Sequence, residues 1–189
     1  MKNKEVIRPK RVKSIRRVKG FLELTKMKFI TDGMLGKLTR WLRMLGYDVE
    51  YSSSLDDKRL IEVAKGGERI LLTRDLELYQ QAIARGAEAF LVEGETEVER
   101  LASLARRFGF KLEIDPSISR CPKCNTRVKS ASKENVGDRV PKSTFSFYNE
   151  FWECPQCGQV YWQGAHWHRI EKTLSMAKGM LEIRMKSDA

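Results

Sequence analysis

The chain of 189 residues lacks the sequence features of membrane proteins, secreted proteins and nucleotide-binding proteins. It contains no apolar run of about 18 residues, the length that a membrane-spanning helix needs. Its N-terminal region has no apolar core of a secretory signal. No G-x-G-x-x-G follows a predicted strand and no G-x-x-x-x-G-K-[ST] occurs, which disfavours a nucleotide cofactor. We therefore expect a soluble, cytoplasmic protein with no membrane partner.

Acidic residues are scarce at the start of the chain. Residues 1–28 hold eleven Lys and Arg but only two Glu, so they carry +9 of the total formal charge of +11. A basic arm of this kind binds phosphate polymers by releasing their counterions, without reading a sequence. We interpret residues 1–26 as an arm with a nucleic-acid role. The alternatives are a solvated tail, or residues upstream of a true start at Met27.

From residue 28 to about residue 108, the chain alternates between short apolar runs and segments of helical periodicity. The pattern predicts strands at 28–31, 48–52, 69–73 and 88–92, and helices at 34–45, 57–65, 75–84 and 95–108. Four consecutive strand–helix units predict a parallel sheet covered by helices, because parallel neighbours need a crossover connection. The expected fold is therefore an α/β, Rossmann-like three-layer domain.

Acidic residues follow each predicted strand. Asp32 comes after the first strand, Asp56 and Asp57 after the second, Asp75 after the third and Glu93 after the fourth. Ligands of open parallel sheets bind beyond the carboxyl ends of the strands, so these side chains are expected to share one crevice. Hard oxygen ligands favour Mg²⁺ or Mn²⁺. The alternative is that each Asp simply caps a helix N-terminus.

All four cysteines occur in two C-x-x-C motifs, CPKC and CPQC, which are separated by 29 residues. This spacing predicts a tetrahedral zinc site of ribbon type, with Cys121, Cys124, Cys154 and Cys157 as ligands. Two disulfides are the alternative, which is disfavoured in a chain without an export signal.

An aromatic segment, GQVYWQGAHWHRI, follows the second motif at residues 158–170. Its aromatic rings and histidines are candidates for stacking on bases or contacting phosphate, and the histidines also for binding metal. The alternative is that the aromatics pack the small zinc module, which we prefer for Trp162; for His166 both interpretations stay open. Residues 115–120 are interpreted as a linker and residues 170–186 as a closing helix.

Taken together, FITDGMLGKLTRWLRMLGYDV, RILLTRD, CPKCN and FWECPQCGQVYWQGAHW closely resemble the Mut-seven C-terminal RNase domain family. The resemblance covers roughly residues 27–172 and includes both halves in order. It implies a PIN-like nuclease domain at 27–114 and a zinc ribbon with a C-terminal helix at 115–189, after the arm at 1–26.

The resemblance implies a metal-dependent ribonuclease whose acids are Asp32, Asp57 (or Asp56) and Asp75, with Glu93 as a fourth. Structural zinc and catalytic Mg²⁺ or Mn²⁺ are the implied cofactors, and hydrolysis would leave a 5′-phosphate and a 3′-hydroxyl. Basic or aromatic side chains near the site are expected to hold RNA: Lys37, Arg40, Arg43, Arg74 and His166.

Two other functions fit the sequence. A non-catalytic RNA-binding or ribosome-associated protein would use the basic arm and the zinc ribbon to contact RNA, including ribosomal RNA. A toxin-like nuclease restrained by an antitoxin is less favoured, because a small toxin does not need a zinc module.

Overall fold

The structure is a computed structural model that describes residues 27–187, with side chains described to residue 183. The predicted basic arm at 1–26 lies outside the described residues. No helix in the described part of the chain is both long enough and apolar enough to cross a membrane.

The first half of the described chain is a parallel sheet with helices on both faces. A 3₁₀ helix, Gly33–Leu35, follows the first strand directly. The strands and helices, in chain order, are β1 (Lys28–Thr31), α1 (Gly36–Met44), β2 (Asp48–Tyr51), α2 (Asp57–Lys65), β3 (Ile70–Thr73), α3 (Leu76–Ala84), β4 (Ala89–Leu91) and α4 (Glu97–Phe108).

The sheet has the order β2-β1-β3-β4, and all of its pairs are parallel. Alternate side chains of β1 enter two separate cores, because successive residues of a strand point to opposite faces. Phe29 packs with α1 and α4, whereas Ile30 packs with α2 and α3. These two cores confirm the predicted three-layer α/β fold.

The ends of the helices agree with the capping residues in the sequence. Thr96 and Glu99 form a capping box at the start of α4, and Gly109 ends this helix in the left-handed conformation, with φ of 74°. Gly46, with φ of 96°, ends the α1 region in the same way.

The second half contains the zinc-ribbon sheet, which is antiparallel with the order β5-β6-β7. Its elements are β5 (Lys129–Ala131), α5 (Lys133–Val136), a 3₁₀ helix (Gly137–Arg139), α6 (Lys142–Phe147), β6 (Phe151–Glu153) and β7 (Val160–Tyr161). The short helices between β5 and β6 enclose a small core of Val136, Val140, Phe151 and Val160. Trp162 packs against this core, which agrees with the packing interpretation.

The final helix, α7 (Trp167–Ser187), returns to the first half. Leu174 and Ala177 are buried in the core that contains Phe29, with Ile170 and Leu181 packed beside them. The inward residues agree with the predicted closing helix. However, α7 completes the core of the α/β half, although the sequence grouped it with the ribbon.

Candidate functional site

The carboxyl ends of β1 and β3 lie at the point where the strand order reverses. The chain passes from β1 to β2 on one side and then to β3 on the other. Ligands of open α/β sheets bind in the crevice at such a switch point. Thr31 pairs with Leu72, so the next residues along, Asp32 and Thr73, are neighbours at this crevice.

Asp32 is buried at the switch point, with 6% of its surface exposed. Its Oδ1 accepts a hydrogen bond of 2.9 Å from Met34 N, which caps the first 3₁₀ helix. Its Oδ2 accepts a hydrogen bond from the hydroxyl of Thr73, a fully buried residue. A buried carboxylate needs such donors, because an unpaired one is costly to remove from water.

Thr73 also connects Asp32 to Asp75. The backbone N–H of Asp75 donates to Thr73 Oγ1 over 2.9 Å, so the Thr73 hydroxyl accepts from Asp75 and donates to Asp32. The carboxylate of Asp75 caps α3, since its Oδ1 accepts from Glu77 N and Leu78 N. Thr73 was not among the residues predicted for the site. The available signal was the recurrence of Thr before Asp in FITD and LLTRD.

The loop after β2 lies close to Asp32. A Cβ added to Gly33 would lie 3.5 Å from Ser53 Cα, an ordinary van der Waals distance, so the loop packs beside the residue that follows Asp32. Asp56 caps α2 through a 2.8 Å hydrogen bond from Arg59 N. Asp57 is exposed in the first turn of α2, and its carboxylate has no hydrogen bond to another described residue.

Glu93 lies in a different setting, in a cavity of about 440 Å³ between the β4–α4 loop and α7. Glu95, Met180 and Ile183 also line this cavity, whereas Asp32 does not. Arg74 extends toward the same loop and forms an ion pair of 3.3 Å with Glu95.

The acids do not form a tight cluster like the cysteines. Within residues 27–187, the four cysteines are the only group of three or more His, Cys, Asp or Glu whose ligand atoms all lie within 4.8 Å of one another. The hydrogen bonds through Thr73 link Asp32 and Asp75, while Asp57 and Glu93 stand apart from that link. His166 and His168 are not part of the cysteine group, which disfavours them as additional ligands.

The four cysteines are positioned to bind a metal such as zinc. The Sγ atoms of Cys121 and Cys157 are 3.6 Å apart, and those of Cys124 and Cys154 are 3.3 Å apart. Tetrahedral coordination by four thiolates at about 2.3 Å from zinc needs separations of this order. Tyr161 supports the group from outside, with its hydroxyl 3.1 Å from Cys121 Sγ.

The two C-x-x-C motifs, each of which we call a knuckle, form the same type of backbone turn. Asn125 N donates to Cys121 O, and Gly158 N donates to Cys154 O, each over 2.9 Å. Asn125 and Gly158 follow the second cysteine of their motifs and have φ of 70° and 69°. The left-handed conformation suits Gly and is tolerated by Asn.

The thiols differ in acidity. Burial raises the pKa of Cys154 to about 12. Burial also opposes ionisation of Cys124, but hydrogen bonds with Thr126 and the neighbouring thiols lower its pKa to about 6. Four thiolates at neutral pH therefore require the positive charge of a bound cation.

Arg43 attaches the first knuckle to the parallel sheet, which gives a structural role to a residue that was predicted to bind RNA. Arg43 is 6% exposed. Its Nε and Nη2 donate to Val49 O, and its Nη1 donates to Pro122 O and Lys123 O. The guanidinium group thus satisfies backbone carbonyls of β2 and of the CPKC knuckle and is not presented to solvent, unlike Lys37 and Arg40 on α1.

Asp48 is a second connection between the halves. Its carboxylate accepts from Arg69 and Asn125 and lies 3.4 Å from Arg120 Nη2. Burial disfavours the charged form, but these hydrogen bonds and the positive charges outweigh it and hold the pKa of Asp48 below its ordinary value. The stabilisation is therefore present above the ordinary carboxyl pKa and is lost as the pH falls through the lowered pKa.

The sequence matches the Mut7-C RNAse domain over residues 27–174, which is most of the chain and includes both the sheet and the ribbon. The chain belongs to this family. No curated protein and no solved structure matches it significantly. The family points to a nuclease that acts on RNA, in agreement with the resemblance described above.

Proposed function

We propose that this Mut7-C protein is a metal-dependent ribonuclease that hydrolyses RNA phosphodiester bonds at the crevice beside Asp32. Family membership supports a nuclease. The observation that carries the proposal is the burial of Asp32 at the switch point, where Thr73 orients its carboxylate. Ligands of open parallel sheets bind at this edge, so a buried acid that specific donors hold there is well placed to take part in a reaction.

The residues at this crevice fit a hard divalent cation. Asp32 offers a carboxylate beside the Thr73 hydroxyl, and Asp75, whose backbone N–H donates to that hydroxyl, offers a second carboxylate. Oxygen donors favour Mg²⁺ or Mn²⁺. Mg²⁺ usually keeps several of its waters and uses only one or two carboxylates, so a tight triad of acids is not required. We assign Asp32 and Asp75 as the holding residues, with Asp57 as a further acid and Glu93 as a more remote one.

When it is bound, such an ion lowers the pKa of a coordinated water and stabilises negative charge on the phosphodiester. The residues of the chain itself supply position and charge. Thr73 keeps Asp32 in one orientation, and Lys37 and Arg40 on α1 are exposed cations for the RNA backbone. We assign zinc to the cysteine group as a structural ion, and a reducing cytoplasm suits its free thiols.

RNA binding without cleavage, including binding to ribosomal RNA, is the second candidate. One observation favours it: Asp32, Asp56 and Asp75 each cap a helix, so all three have a structural reason to be present. The two functions differ in whether Asp32 is needed for chemistry.

The deciding experiment incubates zinc-loaded protein and its Asp32→Asn variant with labelled single-stranded and structured RNA, with Mn²⁺ or Mg²⁺ and without either. We expect the wild-type protein to cleave RNA only with the cation. We expect the variant to be slower by about a hundredfold or more, because losing a residue that holds the ion should cost at least as much as losing an outer-shell partner, for which the upper end is about a hundredfold.

Asp138→Asn is the matched control, because this exposed carboxylate lies on the ribbon, away from the crevice. It should cleave at the wild-type rate, and circular dichroism should show that all three proteins are folded. Equal and negligible cleavage by the wild type and Asp32→Asn would contradict the ribonuclease proposal. Sedimentation of both proteins with ribosomes would then support the second candidate.

A further inference from the structure

One aromatic side chain of the ribbon, Phe147, is not part of the ribbon's hydrophobic core. Phe147, at the end of α6, is 78% exposed, the highest exposure among the large hydrophobic side chains of the described residues. Its ring touches Tyr148 edge to face, at 4.9 Å between centroids. The ribbon core is complete without it, since Phe145, Tyr148 and Trp162 pack there and Phe147 does not. Single exposed apolar side chains are common on protein surfaces, so the role of this ring depends on what lies beside it.

Phe147 forms one wall of a cavity of about 680 Å³ that is open to solvent. Trp162 and Tyr148 provide further aromatic surface, and Thr144 and His166 provide polar groups. The Trp162 indole is fixed by packing on the ribbon core, and it lies so close to Gly164 that a Cβ there would come within 2.6 Å of its Nε1. The cavity therefore combines a fixed aromatic wall, a free aromatic ring and groups that can form hydrogen bonds.

A second cleft, of about 490 Å³, leads from this cavity toward the acidic crevice. Tyr161 lines both spaces, and Lys123 in the cleft is hydrogen-bonded to Gln159 in the cavity. At the other end, the Tyr51 hydroxyl donates to the carbonyl of Gly33, the residue after Asp32. Arg40 and Lys123 are the exposed cations of this cleft.

We propose that the cavity is a binding site for an unpaired base of single-stranded RNA, and that the cleft carries the backbone from it to the acidic crevice. Aromatic rings that accept any base, beside a basic groove, are the usual means of binding single strands. A duplex keeps its bases stacked inside, so it cannot place one against Phe147. The inference rests on the proposed function, because it takes RNA as the substrate.

The test measures binding by fluorescence anisotropy without Mg²⁺ or Mn²⁺, so that no cleavage is needed. The probes are a labelled single-stranded oligoadenylate, an RNA duplex of equal length, and an abasic ribose-phosphate strand. We expect Phe147→Ala to bind the oligoadenylate about five- to tenfold more weakly, as loss of one base stack implies. Phe147→Trp should bind the oligoadenylate as well as the wild type does. On the abasic strand, which offers no base to stack, the wild type and Phe147→Ala should bind equally weakly.

Arg40→Ala and Lys123→Ala test the cleft. Each should weaken binding to the oligoadenylate and to the abasic strand equally, and reduce the slope of log Kd against log salt by about one. Phe147→Ala should leave that slope unchanged. Met176→Ala, which removes an exposed apolar side chain of α7 outside the cavity, is the control and should bind as the wild type does.

Unchanged binding by Phe147→Ala, or duplex binding as tight as single-strand binding, would overturn the inference even if the protein cleaves RNA. Selective single-strand binding that depends on Phe147 would support it even if no cleavage is found. The failure of this inference and the failure of the ribonuclease proposal can therefore be told apart.

Discussion

Thr73 shows how much one side chain decides at the residue scale. It is fully buried at the end of β3, and its hydroxyl accepts from Asp75 N while donating to Asp32. Arg43 is the second example, since its guanidinium group bonds to carbonyls of β2 and of the CPKC knuckle. Both residues act by forming hydrogen bonds with buried polar atoms, and leaving such atoms without a partner is costly.

Thr73→Val keeps the shape of the side chain but removes the hydroxyl. Asp32 Oδ2 would then be buried without a donor, so we expect unfolding free energy to fall by about 1–3 kcal/mol. Urea denaturation of the zinc-loaded protein measures this change. Thr173→Val is the matched control, because the Thr173 hydroxyl bonds only to Arg169 O of its own helix. Equal midpoints for the two variants would show that the bond to Asp32 contributes nothing.

At the element scale, the knuckle turn is the unit that joins ribbon and sheet. The two equivalent turns end in different residues in the left-handed conformation, Asn125 in the first and Gly158 in the second. The side chain of Asn125 accepts from Val49 N and donates to Asp48, whereas a Cβ at Gly158 would meet no atom within 4 Å. Only the first knuckle therefore docks on β2.

Three substitutions separate the contribution of docking from that of backbone strain. Asn125→Gly keeps the left-handed turn and removes the contacts with Val49 and Asp48, so it should lower unfolding free energy by about 1–3 kcal/mol. Gly158→Ala has no contacts to lose and should cost only the left-handed strain, about 1–2 kcal/mol. Asn125→Ala suffers both losses and should be the least stable in a urea titration. A ranking in which Asn125→Gly equals the wild type would refute the docking role.

At the scale of the whole molecule, polar contacts and one long helix bind the ribbon to the α/β half. Arg43 and Asp48 hold the first knuckle, and α7 runs from the ribbon into the core around Leu174. The cleft lined by Arg40 and Lys123 lies between the halves. Loss of the ribbon should therefore disturb RNA binding without unfolding the parallel sheet.

Removal of the metal tests this relation. Cys157→Ser replaces an exposed ligand, and Gln156→Ser is the matched control in the same knuckle. We expect the first variant to lose zinc in a colorimetric release assay and to change its tryptophan fluorescence, while far-ultraviolet circular dichroism retains most of its helical signal. If Gln156→Ser also loses zinc, then any substitution in this knuckle disturbs metal binding, and the loss in Cys157→Ser cannot be assigned to the missing thiolate.

Acid should also release zinc from the wild-type protein, because protons compete with the metal for thiolates. Zinc retention should thus be complete near neutral pH and fall as the pH drops.

The amino-acid order by itself determined the α/β architecture and the cysteine group. The alternation of β-branched runs with amphipathic segments, and the repeated C-x-x-C spacing, are local patterns that report local structure. Only the tertiary structure decided that Thr73 bonds to Asp32, that Arg43 is buried and that α7 joins the first core. Those partners are distant in the chain, and periodicity carries no record of which surfaces meet, because it reports only which side of its own helix or strand a residue occupies.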